Sequence, residues 1–106
     1  MDNKEKLSAF FGAENKRDWE TYKRFLHPDV AWTLFAEPPR TVRGIDAYLE
    51  AMKNAYKGGG NTFVCESLTE GAGRTVTILL NNMGERSCDI FEFKDGLIYR
   101  EYEFIL

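Results

Sequence analysis

Hydrophobic positions in the first half of the chain recur with the period of a helix, and in the second half they fall into short strand-like runs. Leu7, Phe10, Phe11 and Glu14 stand at i, i+3, i+4 and i+7 with charged residues opposite, which predicts a helix over residues 3–16. Asp18 is placed to cap a second, short helix on which Trp19, Tyr22, Phe25 and Leu26 share a face, and Pro28 stops that run. Residues 30–35 are dense in strand formers; Pro38 and Pro39 end them before a short extended piece at 40–43. Gly44 opens a third helix with Ile45, Tyr48, Leu49, Met52 and Tyr56 as its stripe, and Gly58, Gly59 and Gly60 terminate it. The rest predicts strands at about 61–70, 74–82, 86–94 and 97–105, separated by turns around Gly71, Gly84 and Asp95-Gly96. Such short turns imply an antiparallel meander. Helices first and hairpins after predict an α+β domain: a curved, mostly antiparallel sheet bent into a cone around three helices, with a pocket between sheet and helices.

The closing hairpin carries the most chemistry. Asp95-Gly96 favours a type I′ turn, because both central residues need positive φ. Lys94 then pairs with Leu97; counting outward, Phe93 faces Ile98, Phe91 faces Arg100 and Asp89 faces Tyr102, these three pairs on one apolar side. The opposite side takes Cys88, Ile90, Glu92, Tyr99, Glu101 and Glu103. A bulge in the last strand would invert this, sending Glu101 and Glu103 inward, where they could serve as acid and base. An acid on an apolar face is either paired or functional. Asp89 has two such readings: a hydrogen bond to Tyr102 with an ion pair to Arg100, or a protonated carboxyl that donates to a substrate carbonyl.

Composition narrows the classes. A chain of 106 residues is one domain, and eight Phe, five Tyr and two Trp favour a roomy core. The net charge is −3 with Lys and Arg scattered, so no basic stripe exists for nucleic acid. Cys65 and Cys88 lack Cys-x-x-Cys spacing and His27 is the lone histidine, so no Cys/His zinc site can be assembled. No metal and no cofactor are expected. The thiols read as free in a reducing cytoplasm, and no segment approaches a membrane span, so a cytoplasmic protein without membrane contacts is expected. His27 beside Pro28 reads as a helix C-terminal partner. Trp19 and Trp32 read as core residues that could also stack on a flat ligand. The three glycines at 58–60 precede no Lys-Ser/Thr and read as a connector, not a phosphate cradle.

Asp18-Trp19 opening helix two, the run LHPDVAW at 26–32, Arg43-Gly44-Ile45 opening helix three, and the final hairpin from Asp89 to Ile98 followed by Arg100-Glu-Tyr102 resemble the nuclear transport factor 2-like superfamily. The resemblance is to its SnoaL-like branch and covers nearly the whole chain as one domain. It implies the cone fold, a homodimer, and a scaffold that hosts isomerases, cyclases, dehydratases, epoxide hydrolases and binders. It also makes the bulge plausible. Asp89 falls where the ketosteroid isomerase branch keeps a protonated acid. Phe10 and Phe11 replace that branch's tyrosine, and Trp32, Thr33, Leu34 and Phe35 stand where its strand carries the base; Glu37 lies at the pocket mouth. Dehydratase relatives rely on histidine and tyrosine inside the cone, and His27 alone does not supply that set. The reading that follows is a pocket protein for a small apolar or aromatic metabolite. Any chemistry would be proton transfer at Asp89, with Phe10, Trp32, Leu34, Tyr48, Phe91, Arg100 and Tyr102 as ligand contacts. Its rival is a non-catalytic dimerisation module whose cone is closed by Phe10, Trp32, Phe91 and Phe104. An interior space of roughly 300 Å³ or more beside Asp89, with no cation in reach, favours the first.

Overall fold

A computed structural model describes residues 1–106. Helix α1 spans Asn3–Lys16 and begins in a capping box: the Asp2 carboxylate accepts from the Glu5 amide at 2.8 Å and Glu5 accepts from the Asp2 amide at 3.1 Å. Arg17 closes it in the left-handed region, and Asp18 caps α2, Trp19–Lys23, through Thr21. This helix is shorter than its apolar stripe predicts. Phe25 and Leu26 leave it because strand β1, Leu26–Phe35, begins there, with the Phe25 carbonyl accepting from the Ile98 amide at 2.8 Å. His27 consequently lies inside a strand and is not a helix C-terminal partner; its Nδ1 accepts from the Asp29 amide at 3.0 Å.

Strand β2, Arg40–Arg43, folds back antiparallel on β1, and α3, Ile45–Ala55, starts after Gly44, whose φ of 89° suits only a glycine. Strands β3 (Phe63–Gly71), β4 (Arg74–Asn81), β5 (Arg86–Lys94) and β6 (Leu97–Ile105) complete a six-stranded sheet in the order β2-β1-β6-β5-β4-β3. Every neighbouring pair is antiparallel except β1 with β6, where the chain returns to lie parallel to its first strand. The helices cover the concave face. Leu7, Phe10, Tyr22, Val30, Tyr48, Phe91 and Ile98 form the fully buried centre, with Phe10 stacked on Tyr22 at 4.1 Å and edge-on to Phe91. Each such side chain contributes about 1.5–3 kcal/mol by leaving water.

The turn at Asp95-Gly96 has φ of 54° and 77°, and Lys94 pairs with Leu97 and Phe93 with Ile98, as the dipeptide predicts. The next pair is Glu92 with Arg100, so Tyr99 is left over as a bulge. Beyond it every side chain of β6 changes face. Phe91 therefore meets Glu101 instead of Arg100, and Asp89 meets Glu103 instead of Tyr102. The bulge is held from outside: the Tyr99 ring carries the Arg100 guanidinium at 3.8 Å and the Lys94 ammonium at 4.9 Å, with His27 edge-on. Arg100 also donates to the Asp29 and Tyr99 carbonyls, both at 2.9 Å. On β1 the register with β6 jumps from Leu26–Ile98 to Ala31–Arg100, so the strand bows out where the bulge protrudes.

Candidate functional site

Between α1, α3 and the concave face of the sheet lies a cavity of about 380 Å³. Phe10 and Phe11 from α1, Trp32 and Leu34 from β1, and Phe63 from β3 give it aromatic and apolar walls. It opens beside Glu85, Arg86 and Ile105, all exposed. Four carboxyl groups face this space: Glu14 from α1, Asp89 from β5, and Glu101 and Glu103 from β6. Alternation explains the last three, since Asp89 and Glu103 are cross-strand partners and Glu101 is the next inward residue.

Every one of these acids meets a neutral donor. Ser87 Oγ donates to Asp89 at 2.6 Å, Trp32 Nε1 to Glu103 at 3.0 Å, the Tyr48 hydroxyl to Glu101 and the Tyr56 hydroxyl to Glu14. None meets a cation. Arg86, at the mouth, is paired with both oxygens of Glu66, at 2.6 and 3.1 Å. Arg17 lies flat on the Tyr56 ring at 4.0 Å, donating to backbone carbonyls, and acts on Glu14 only weakly from there.

Burial without a counter-charge drives the carboxyl groups toward their neutral forms. Desolvation raises Glu14 to about 7 against the Tyr56 hydrogen bond, and raises Glu103 to about 7 with help from the Asp89 charge. Burial pushes Glu101 well up, the Asp89 and Glu103 charges adding to it, and raises Asp89 despite its bonds from Ser87 and Glu101. Glu101 is thus the acid that keeps a proton and shares it with Asp89. Burial likewise raises the hydroxyls of Tyr22, Tyr48 and Tyr56, so all three stay protonated donors.

One oxygen from each of Asp89, Glu101 and Glu103 lies within 4.8 Å of the others, an oxygen-only set of the kind that suits a hard divalent ion. The donors from Ser87, Tyr48 and Trp32 and the shared proton already engage these groups, as they would in a hydrogen-bonded acid cluster. The arrangement can hold a proton on the Asp89–Glu101 pair while Glu103, close to neutrality in its titration, takes or gives another.

Of the residues read from the sequence as site candidates, Asp89, Phe10, Trp32 and Leu34 line the cavity. Tyr48 and Phe91 lie fully buried behind its wall, Tyr48 in a hydroxyl contact with Tyr22 at 3.3 Å. Arg100 and Tyr102 are on the convex face. The bulge turned them outward: Arg100 covers Tyr99, and the Tyr102 hydroxyl donates to Glu92 at 2.9 Å. Glu14 and Ser87 also line the cavity and were not anticipated there, and of the two phenols on the α3 stripe it is Tyr56, not the favoured Tyr48, that reaches it. Glu14 was signalled, since it falls on the apolar stripe of α1 where a charge needs a reason. Glu101 and Glu103 depended on a bulge that local sequence did not decide.

A curved sheet closed by three helices around a one-ended acidic cavity defines a small cone-shaped pocket domain. Residues 7–101 match the model of the SnoaL-like domain, and the chain belongs to that family. Among solved structures it is similar to a candidate ketosteroid isomerase of Kribbella flavida, at 22% identity over 95% of this chain and 75% of that one, TM-score 0.83. It is similar also to a candidate polyketide cyclase of Sinorhizobium meliloti, at 17% identity over 93% of both chains, TM-score 0.83. An LEH-like epoxide hydrolase of M. tuberculosis shares 16% identity over 96% of this chain and 80% of its own, TM-score 0.78. Likeness at such identities establishes the nuclear transport factor 2-like fold and nothing finer. A search of curated proteins finds no match.

Proposed function

We propose that this domain binds a small, largely apolar or aromatic molecule in the cone and moves a proton within it, in the manner of an isomerase or cyclase. Glu103 acts as the base and the Asp89–Glu101 pair as the acid. The observation that carries this reading is the convergence of Asp89, Glu101 and Glu103 within 4.8 Å at the wall of a cavity of about 380 Å³, with no cation among their partners. A general base works best with a pKa near the working pH, and Glu103 at about 7 meets that condition. The space supports a ligand of about a dozen heavy atoms, and it opposes the rival reading of a filled cone.

In the proposed step Glu103 removes a proton from carbon next to a carbonyl, and the proton shared by Asp89 and Glu101 moves toward the carbonyl oxygen as negative charge develops there. Return of a proton from Glu103 to a second carbon completes an isomerisation. Trp32 Nε1 fixes the base through its 3.0 Å bond. The test is deuterium uptake from D₂O into small cyclic ketones, followed by NMR. Accelerated uptake is expected for the native chain, with a fall of about 10²–10⁴-fold in Glu103→Gln and in Asp89→Asn. Uptake equal with and without protein across the ketones would remove the catalytic half of the proposal.

A further inference from the structure

The acid groups of the cavity outnumber its cations in a way that the proton-transfer reading does not require. Five carboxyl groups line it, Glu85 at the mouth and four within, and each of the four is met by a hydroxyl or indole donor where a buried acid is usually met by Arg or Lys. Every face of the site has the same character. The helices present Glu14 on α1 and the Tyr56 hydroxyl, with the Tyr22 and Tyr48 hydroxyls behind the wall; the sheet presents Asp89, Glu101 and Glu103; the mouth adds Glu85 and Arg86, the latter paired with Glu66. Three guanidinium groups around the cavity are each already engaged. Arg86 is clamped by Glu66, Arg17 is stacked on Tyr56, and Arg40 lies 5.6 Å from the centre of the Trp32 ring.

A second observation points into the space. Asp89 and Glu101, 4% and 7% exposed, line the cavity, and besides the proton they share the only donors on them are the neutral hydroxyls of Ser87 and Tyr48. The rings of Phe10, Phe11, Trp32 and Phe63 wall the same cavity. Acid groups that can ionise and aromatic rings are the two surfaces that hold an organic ammonium group: the first by charge-assisted hydrogen bonds, the second through the negative ring face.

We infer that the molecule bound in the cone carries a protonated amine on an apolar or aromatic body, and that its ammonium group is seated among Glu14, Asp89, Glu101 and Glu103. This rests on the pocket reading above and names the class of molecule it takes. A divalent ion would satisfy the carboxylates alone, leaving the aromatic walls and most of the volume without a role. An anionic ligand would meet four acids and no free cation.

Calorimetry with three phenyl-bearing probes decides the matter: 2-phenylethylamine, the uncharged 2-phenylethanol and the anion 3-phenylpropanoate, with calcium chloride as a fourth titrant. The amine is expected to bind at least about tenfold more tightly than the alcohol, because pairing with ionised carboxylates is available to it alone, and the anion is expected to bind most weakly. From about pH 6 to about pH 8 the amine stays charged while Glu14 and Glu103 ionise, so its affinity should rise by about tenfold and the alcohol's should not. In Glu103→Gln and in Glu14→Gln the preference for the amine over the alcohol should shrink. Glu92→Gln, which removes an acid from the convex face, should leave it unchanged, and melting curves confirm that each variant is folded. Alcohol binding as tight as amine binding overturns the ammonium inference and leaves the pocket reading standing. Calcium binding more tightly than the amine overturns it in favour of a metal site. No binding by any probe at millimolar concentration removes the ammonium inference and the pocket reading together.

Discussion

Glu14 and Glu103 are acids that the fold holds against their own preference. Each has an ordinary value of 4.5 and is raised to about 7 by burial. Between those values the native state binds more protons than the unfolded chain. Stability is therefore highest below about pH 4.5 as far as these groups are concerned, falls as pH rises through about 7, and is level above it. Denaturant unfolding at about pH 5 and about pH 8 should show a loss of a few kcal/mol on the alkaline side, and Glu14→Gln should flatten that slope. A slope that stays the same in the variant would show that Glu14 is ionised throughout. The Phe10 ring, between Tyr22 and Phe91, marks the opposite kind of residue: Phe10→Ala should cost about 3–5 kcal/mol, seen as a lower melting temperature, while enlarging the cavity.

At the scale of elements, the last strand shows where sequence reading ends. Asp95-Gly96 determined the turn and the first two cross-strand pairs, because that information is local to the dipeptide. Nothing local determined Tyr99 as a bulge. Its ring is clasped by Lys94 and Arg100 of the same hairpin and by His27, and Arg100 is tied to Asp29, so two of the groups that fix it lie on β1, far away in sequence. The same distance hid the start of β1, whose first residue is set by pairing with Ile98 on β6. The helices, the turns and the cone were legible because amphipathic periods and glycine positions speak for themselves; Asp89 was legible because its neighbours on the strand are apolar. The two glutamates beside it were not. Deleting Tyr99 is expected to restore an unbroken ladder and to leave Glu101 opposite Phe91 and Glu103 opposite Asp89, because Ile98 then runs straight into Arg100 opposite Glu92. Cross-strand nuclear Overhauser contacts from Asp89 to Glu103 would report the retained register, and pocket binding should survive. Contacts from Asp89 to Tyr102 in the deletion would show that the bulge itself holds the glutamates inward.

For the whole molecule, the convex face of the sheet is the remaining large surface. Val76, Ile78, Leu80, Cys88, Ile90 and Tyr102 occupy it, half-buried, and at its edge Phe35 and Phe104 stack in parallel at 4.5 Å with 44% and 37% of their surfaces exposed. An apolar sheet face of this kind is expected to pair two copies of the chain. Sedimentation should give a dimer, and Ile90→Arg, which sets a charge between Val76 and Tyr102, should shift it to monomer without altering the cavity.

Folding also changes how this protein carries charge. The formal value of −3 counts every carboxylate as ionised. With Glu101 neutral and Glu14 and Glu103 half-titrated, the native molecule at pH 7 carries a net charge nearer about −1. Its native isoelectric point then lies above the 5.2 that belongs to the bare sequence. In isoelectric focusing the folded protein should come to rest at a higher pH than the same chain opened by urea.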